Sequence, residues 1–175
     1  LGDYSKRLQL WTFGKQLSSE LLAMIDPAVV VKQWGYISDR NVQGQLYRAA
    51  DVFWLPSLED NQPQTALEAM ACGTAVVGFS VGGVPEIVRH DQTGLVVPAK
   101  DAPAMALATY ELLRDRKRLA RLSAAGKQMV RQEFSLQRQA RSYTELYEKI
   151  LANRWRLFQP RTTHWNKPVC QVSTT

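Results

Sequence analysis

Apolar positions along this chain come in short undivided runs, with stretches of helical periodicity between them. Leu8–Phe13 stops at Gly14, and Val29–Trp34 stops at Gly35. Asp51–Leu55 stops at Pro56, Ala75–Phe79 follows Gly73, and Leu95–Val97 stops at Pro98. Runs of this length, rich in β-branched and aromatic residues and ended by Gly or Pro, predict strands. Helices are predicted between and after them. Ser18 is placed to cap one over Ser19–Ile25, which Asp26-Pro27 breaks, and Val42, Leu46 and Ala49 repeat at helical spacing to Ala50. A third helix opens after Pro63 and closes at Gly73. A short one follows over Val84–Arg89, with Pro85 in its first turn, and Asp101 is placed to cap another over Ala102–Leu113. Two long patterns complete the series, from about Asp115 to Glu133 and from Ser135 to about Ala152.

Strands alternating with helices predict an α/β fold, a mostly parallel Rossmann-like sheet covered on both faces by helices. Residues 8–152 read as one domain. From Asn153 the apolar periodicity stops, and 153–175 reads as a basic, poorly ordered tail.

Composition narrows the class. A chain of 175 residues with 45% apolar content is large enough to bury a core without staples. No apolar run approaches the roughly 18 residues of a spanning helix. Cys72 and Cys170, far apart, make no disulfide framework, and a reduced cytoplasmic setting is expected. The net charge of +6 is uneven: residues 1–100 carry 8 Lys and Arg against 10 Asp and Glu, and the remainder carries 14 against 6. The basic half fits solvated helix faces or peripheral contact with the inner face of a membrane. It carries no nucleic-acid motif. His90 and His164 lack ligand spacing, so no metal is expected, and no strand is followed by G-x-G-x-x-G. Cys72 reads as a packed residue, not a nucleophile.

The stretch Leu55–Gly83 carries the candidate chemistry. It reads strand, acidic loop, helix, strand, and its loop lies at the carboxyl end of a strand, where such folds bind ligands. The helix after Pro63 has free backbone N–H groups and a positive dipole end, an anion site with Gln64 and Thr65 nearest its start. Glu68, about one turn on, is placed to accept hydrogen bonds from vicinal hydroxyls, and Asp60 faces the same loop. A purely structural reading has Asp60 or Asn61 capping the helix and Glu68 as a solvated helix residue. Gly82-Gly83 offers a second close approach of backbone to a ligand, or a plain turn.

These residues resemble a known family. Tyr47-Arg48-Ala49-Ala50-Asp51-Val52, then Leu55-Pro56-Ser57, Glu68–Val77, Gly82–Val88 and Thr93–Val96 resemble, in order, the motifs of the group 1, GT-B-fold retaining glycosyltransferases. The likeness covers about Leu10 to Ile150. It implies a donor domain that binds a nucleotide-sugar, UDP- or GDP-linked, without metal or other cofactor. It also implies catalytic roles for Asp60 and Glu68, with Glu68 on the ribose and Asp60, or its neighbour Glu59, on the sugar. Substrate-binding roles fall to Glu59, Asn61, Gln64, Thr65, Gly35 and Tyr36. Trp34 and Tyr36 fit either core packing or a nucleotide base. By the same likeness, an earlier strand with its Arg and Lys and a whole acceptor-binding domain lie outside this sequence. Lys6 and Arg7 do not replace that pair, and the isolated chain is expected to be inactive. The usual strand order then leaves the strand at Leu8–Phe13 without a neighbour toward Asp51–Leu55. A nucleotide-sugar 2-epimerase of the same fold and a non-catalytic binding module are the alternatives.

Overall fold

The structure, a computed structural model, describes residues 8–157. They fall in two compact units, divided after Ser135.

The first unit runs β1 (Gln9–Thr12), α1 (Ser19–Ala23), β2 (Val30–Gln33), α2 (Arg40–Ala49), β3 (Val52–Leu55), α3 (Gln64–Cys72), β4 (Ala75–Phe79), α4 (Val84–Ile87), β5 (Leu95–Val97), α5 (Ala102–Arg114) and α6 (Arg116–Glu133). All ladders are parallel. β1 pairs with β2 in the register Gln9 to Val30, β3 with β4 from Val52 to Ala75, and β4 with β5 from Val77 to Leu95. The strands form two sheets, β1-β2 and β3-β4-β5. Among the described residues no ladder joins the two sheets.

β4 is the centre of the core, with all five residues buried. Its side chains alternate between two layers, as the pleat requires. Val76 packs with Ala66, Leu67, Ala69 and Met70 of α3 and with Met129 and Val130 of α6. Ala75, Val77 and Phe79 pack on the other face with Leu95, Met105, Leu112, Leu119 and Leu122. Helix α6 serves both layers, its early turns on one and its late turns on the other. Ion pairs hold it to the loops: Arg89 to Glu133 at 2.6 Å, Arg116 to Asp51 at 2.5 Å, and Arg118 and Arg121 to Asp91 at 2.9 and 3.0 Å. The Arg118 hydrogen bond, more than any other contact, holds the Asp91 carboxyl below its ordinary range. Much of the basic excess of this helix is therefore matched within the unit.

Helix boundaries follow the capping chemistry. Ser18 accepts from Leu21 N, Asp101 from Ala104 N and Asp115 from Arg118 N, and Gly73 ends α3 in the left-handed region. Asp39 caps α2 through Asn41 N at 2.7 Å, and that helix starts two residues earlier than its apolar repeat.

Helices flank the parallel sheets as expected, but burial is uneven: β1, β2 and α1 contain no buried residue, whereas all five residues of β4 are buried. An aromatic chain reaches across the break: Phe13 meets Tyr47 edge-on at 5.4 Å, and Tyr47 meets Phe53 at 5.5 Å. Because β1 and β3 each pair on one side only among the described residues, alternate amides in both should exchange with solvent far faster than those of β4. Hydrogen exchange by NMR checks this, and uniform strong protection of β1 and β3 in a monomer would refute the split.

The second unit, described by itself, is α7 (Leu136–Leu157). It exposes Leu136, Tyr143, Leu146, Tyr147, Ile150 and Leu151. The helix runs through Asn153 to Leu157, a turn beyond the end of its apolar periodicity, so the start of the expected tail is helical. The rest of that tail, with His164 and Cys170, lies outside the described residues. No helix among the described residues is long and apolar enough to cross a membrane.

Candidate functional site

In a parallel sheet all carboxyl ends lie on one edge, so the loops after β1 and β2 share one rim and those after β3, β4 and β5 share another. Here they are stitched in pairs. Gly14 N donates to Gly35 O at 2.7 Å after β1 and β2, Gly83 N to Asp60 O at 2.9 Å after β3 and β4, and Ser80 N to Val97 O at 2.8 Å after β4 and β5.

The loop from Pro56 to Pro63 carries Glu59, Asp60 and Asn61. Asp60 is half-buried and Glu59 and Asn61 are exposed. The Asp60 carboxylate accepts from Gln62 N at 3.1 Å, closing a turn within its own loop. It does not cap α3, and neither does Asn61, so the structural alternative for these two residues fails. Helix α3 begins after Pro63 with no side-chain cap. Its Pro63 carbonyl takes the N–H groups of Ala66 and Leu67. Among the described residues the amides of Gln64 and Thr65 have no acceptor, and both residues are exposed. An uncapped helix start presents free donors of the kind that suit an anion.

Gly82-Gly83 differs in detail from its sequence reading. What approaches this backbone is the neighbouring loop. A Cβ on Gly82 would collide with the Asp60 carbonyl oxygen and one on Gly83 with that of Asn61. The glycine pair therefore sets the position of the acidic loop.

Glu68 lies on the exposed side of α3, while Ala66, Leu67, Ala69 and Met70 face the core. Its Oε2 accepts the Tyr47 hydroxyl at 3.2 Å, and its Oε1 has no protein partner among the described residues. Tyr36 is 88% exposed and Trp34 45%, so core packing is excluded for Tyr36 and incomplete for Trp34, which meets Trp11 edge-on. Gly35 between them holds the β1 and β2 loops together. His90 bridges to the Val96 backbone, and Cys72 packs at the margin of the α3 core. No group of three His, Cys, Asp or Glu residues among the described ones is placed to hold a metal.

Sequence reasoning missed Tyr47 and Thr74, whose hydroxyl donates to the Tyr47 carbonyl. The available signal for Tyr47 was an aromatic with a polar tip on the inward side of α2.

Fold and rim together define a Rossmann-like α/β domain of the GT-B glycosyltransferase class. Its solved likenesses include sucrose-phosphate synthase from Thermosynechococcus elongatus, with a TM-score of 0.69 and 30% identity over 83% of this chain and 39% of that one. Anabaena HepE, solved in complex with UDP-glucose, shares the fold at a TM-score of 0.64 and 19% identity, over 80% of this chain and 49% of that one. The chain belongs to the group 1 glycosyl transferases, whose family model matches residues 3–115. It is 33% identical over 135 residues to the lipopolysaccharide core biosynthesis mannosyltransferase of Rhizobium meliloti (strain 1021). That match takes in 76% of this chain and 38% of the relative, so the chain spans well under half the length of that protein.

Proposed function

We propose that this chain is the donor-binding half of a retaining glycosyltransferase and that the rim around α3 binds a nucleotide-sugar. The observation that carries the reading is the conjunction on α3 of acceptor-free amides at Gln64 and Thr65 with a carboxylate oxygen of Glu68 about one turn further along. The first suits diphosphate or sugar oxygens, and the second suits a pair of ribose hydroxyls. Asp60, or Glu59 beside it, is the carboxylate for the sugar, and the exposed Tyr36 beside Gly35 and Trp34 is the surface for the base. UDP or GDP is the expected nucleotide, and family membership supports the assignment.

The loops bearing Asp60 and Gly83, residues 56–63 and 80–83, contain no Lys or Arg. Charge on a leaving diphosphate is stabilised by well-placed donors, each worth roughly 10²–10³ in rate. Binding without sugar transfer is accordingly expected from this chain by itself.

Calorimetric titration with UDP, GDP and ADP tests the reading, beside a Glu68→Ala variant. One nucleotide should bind, and the variant should weaken it by about 30- to 100-fold, the equivalent of about one strong hydrogen bond to a charged group. A folded chain that binds none of the three refutes the proposal.

A further inference from the structure

The Glu68 carboxylate stands on the solvent side of a helix, where a glutamate ordinarily samples many rotamers. Here one of its oxygens is held from below. Tyr47 is the only buried residue of α2, at 3% exposure. Its ring is fixed by edge-on contacts with Phe13, just after β1, and Phe53 of β3, and its backbone carbonyl is held by the Thr74 hydroxyl. The hydroxyl of the ring so restrained donates to Glu68 Oε2 at 3.2 Å.

We propose that Tyr47 is a positioning residue: it tethers Oε2 of Glu68 so that Oε1 is presented in a fixed orientation to the vicinal hydroxyls of a bound nucleotide. The proposal rests on the ribose-binding reading of Glu68 and adds to it the group that sets the carboxylate's geometry. Burial first, then the charge and hydrogen bond of Glu68, hold the phenol proton far above its ordinary value, so Tyr47 donates throughout the physiological range. An ordered acceptor loses less freedom when the ligand arrives, which is how a group that never touches the ligand raises affinity.

The competing view is that the hydroxyl merely satisfies itself and that Tyr47 serves packing alone. Tyr47→Phe separates the two because it keeps the ring and its aromatic neighbours. The probes are UDP, GDP and ADP, and then the 2′,3′-dideoxy form of whichever binds best. In the Tyr47→Phe chain the melting temperature should stay close to that of the parent. Affinity for the ribonucleotide should fall by up to about tenfold, the scale of ordering one side chain on binding. Affinity for the dideoxy form should not change, and in a Glu68→Ala background Tyr47→Phe should have no further effect. Unchanged ribonucleotide affinity overturns the proposal while leaving the donor-site reading intact. So does an equal loss for both forms. A folded parent chain that binds no nucleotide overturns both.

Discussion

Gly83→Ala should cost about 1–3 kcal/mol of stability and displace the acidic loop from its place against Gly82-Gly83, the usual scale for a methyl group forced into an occupied position. The cause is space, since the backbone at Gly83 has φ of −87°, open to any residue. The added Cβ would meet the Asn61 carbonyl oxygen, a backbone atom that no rotamer change can move aside. Either the Gly83 N–H to Asp60 O bond breaks or the whole loop shifts. Nucleotide affinity should fall with stability, because Asp60 and Asn61 move with that carbonyl. Gly44→Ala is the matching control. It lies within α2, its Cβ would touch only the end of the Arg48 side chain, and removing a helical glycine should stabilise by about 0.5–1 kcal/mol. Thermal melts and titration of the two variants give the comparison. Equal melting temperatures would show that the two loops are not held as described.

Met70→Ala should be the most damaging single truncation in α3, at about 3 kcal/mol, by the ordinary cost of emptying a fully buried site. Met70 has no exposed surface, and its methyl group lies against Gly126 of α6, a position with no side chain of its own to fill the void. For a unit of this size the loss corresponds to a melting temperature roughly 10 °C lower. Since Glu68 faces away from that contact, the surviving folded fraction should bind nucleotide almost normally. A stability defect with intact affinity is thus the signature expected of Met70, opposite to that of Glu68. A shift under 2 °C would mean that α3 and α6 repack freely.

Much of this was legible in the chain because the deciding interactions are local. The undivided apolar run at Ala75–Phe79 marks a strand buried on both faces, and Gly73 marks the end of the helix before it. Ser18, Asp101 and Asp115 lie immediately ahead of the helices they cap. What could not be read depends on residues distant in sequence. Tyr47 and Glu68 meet across 21 positions and two helices, and no spacing rule joins them. Asp60 had two local uses open to it, capping α3 or closing its own turn, and its sequence fits both. The glycine pair announces a close approach without saying to what. β1 and β2 have the composition of buried strands, yet how deeply they lie depends on what packs over them. For Tyr36 an aromatic residue after a strand is compatible with core or rim alike.

The break between the two sheets also bears on how the chain behaves while it folds. Val52-Phe53-Trp54-Leu55 is uncharged, lacks proline and glycine, and among the described residues forms a ladder on one side only. Such a segment can pair with its own copy in another molecule as readily as it pairs at home. Intramolecular folding is first order in protein, whereas that misassembly is at least second order. Refolding yield from denaturant should therefore fall steeply as concentration rises, and a lysine in place of Trp54, whose ring is partly solvent-facing, should flatten the dependence.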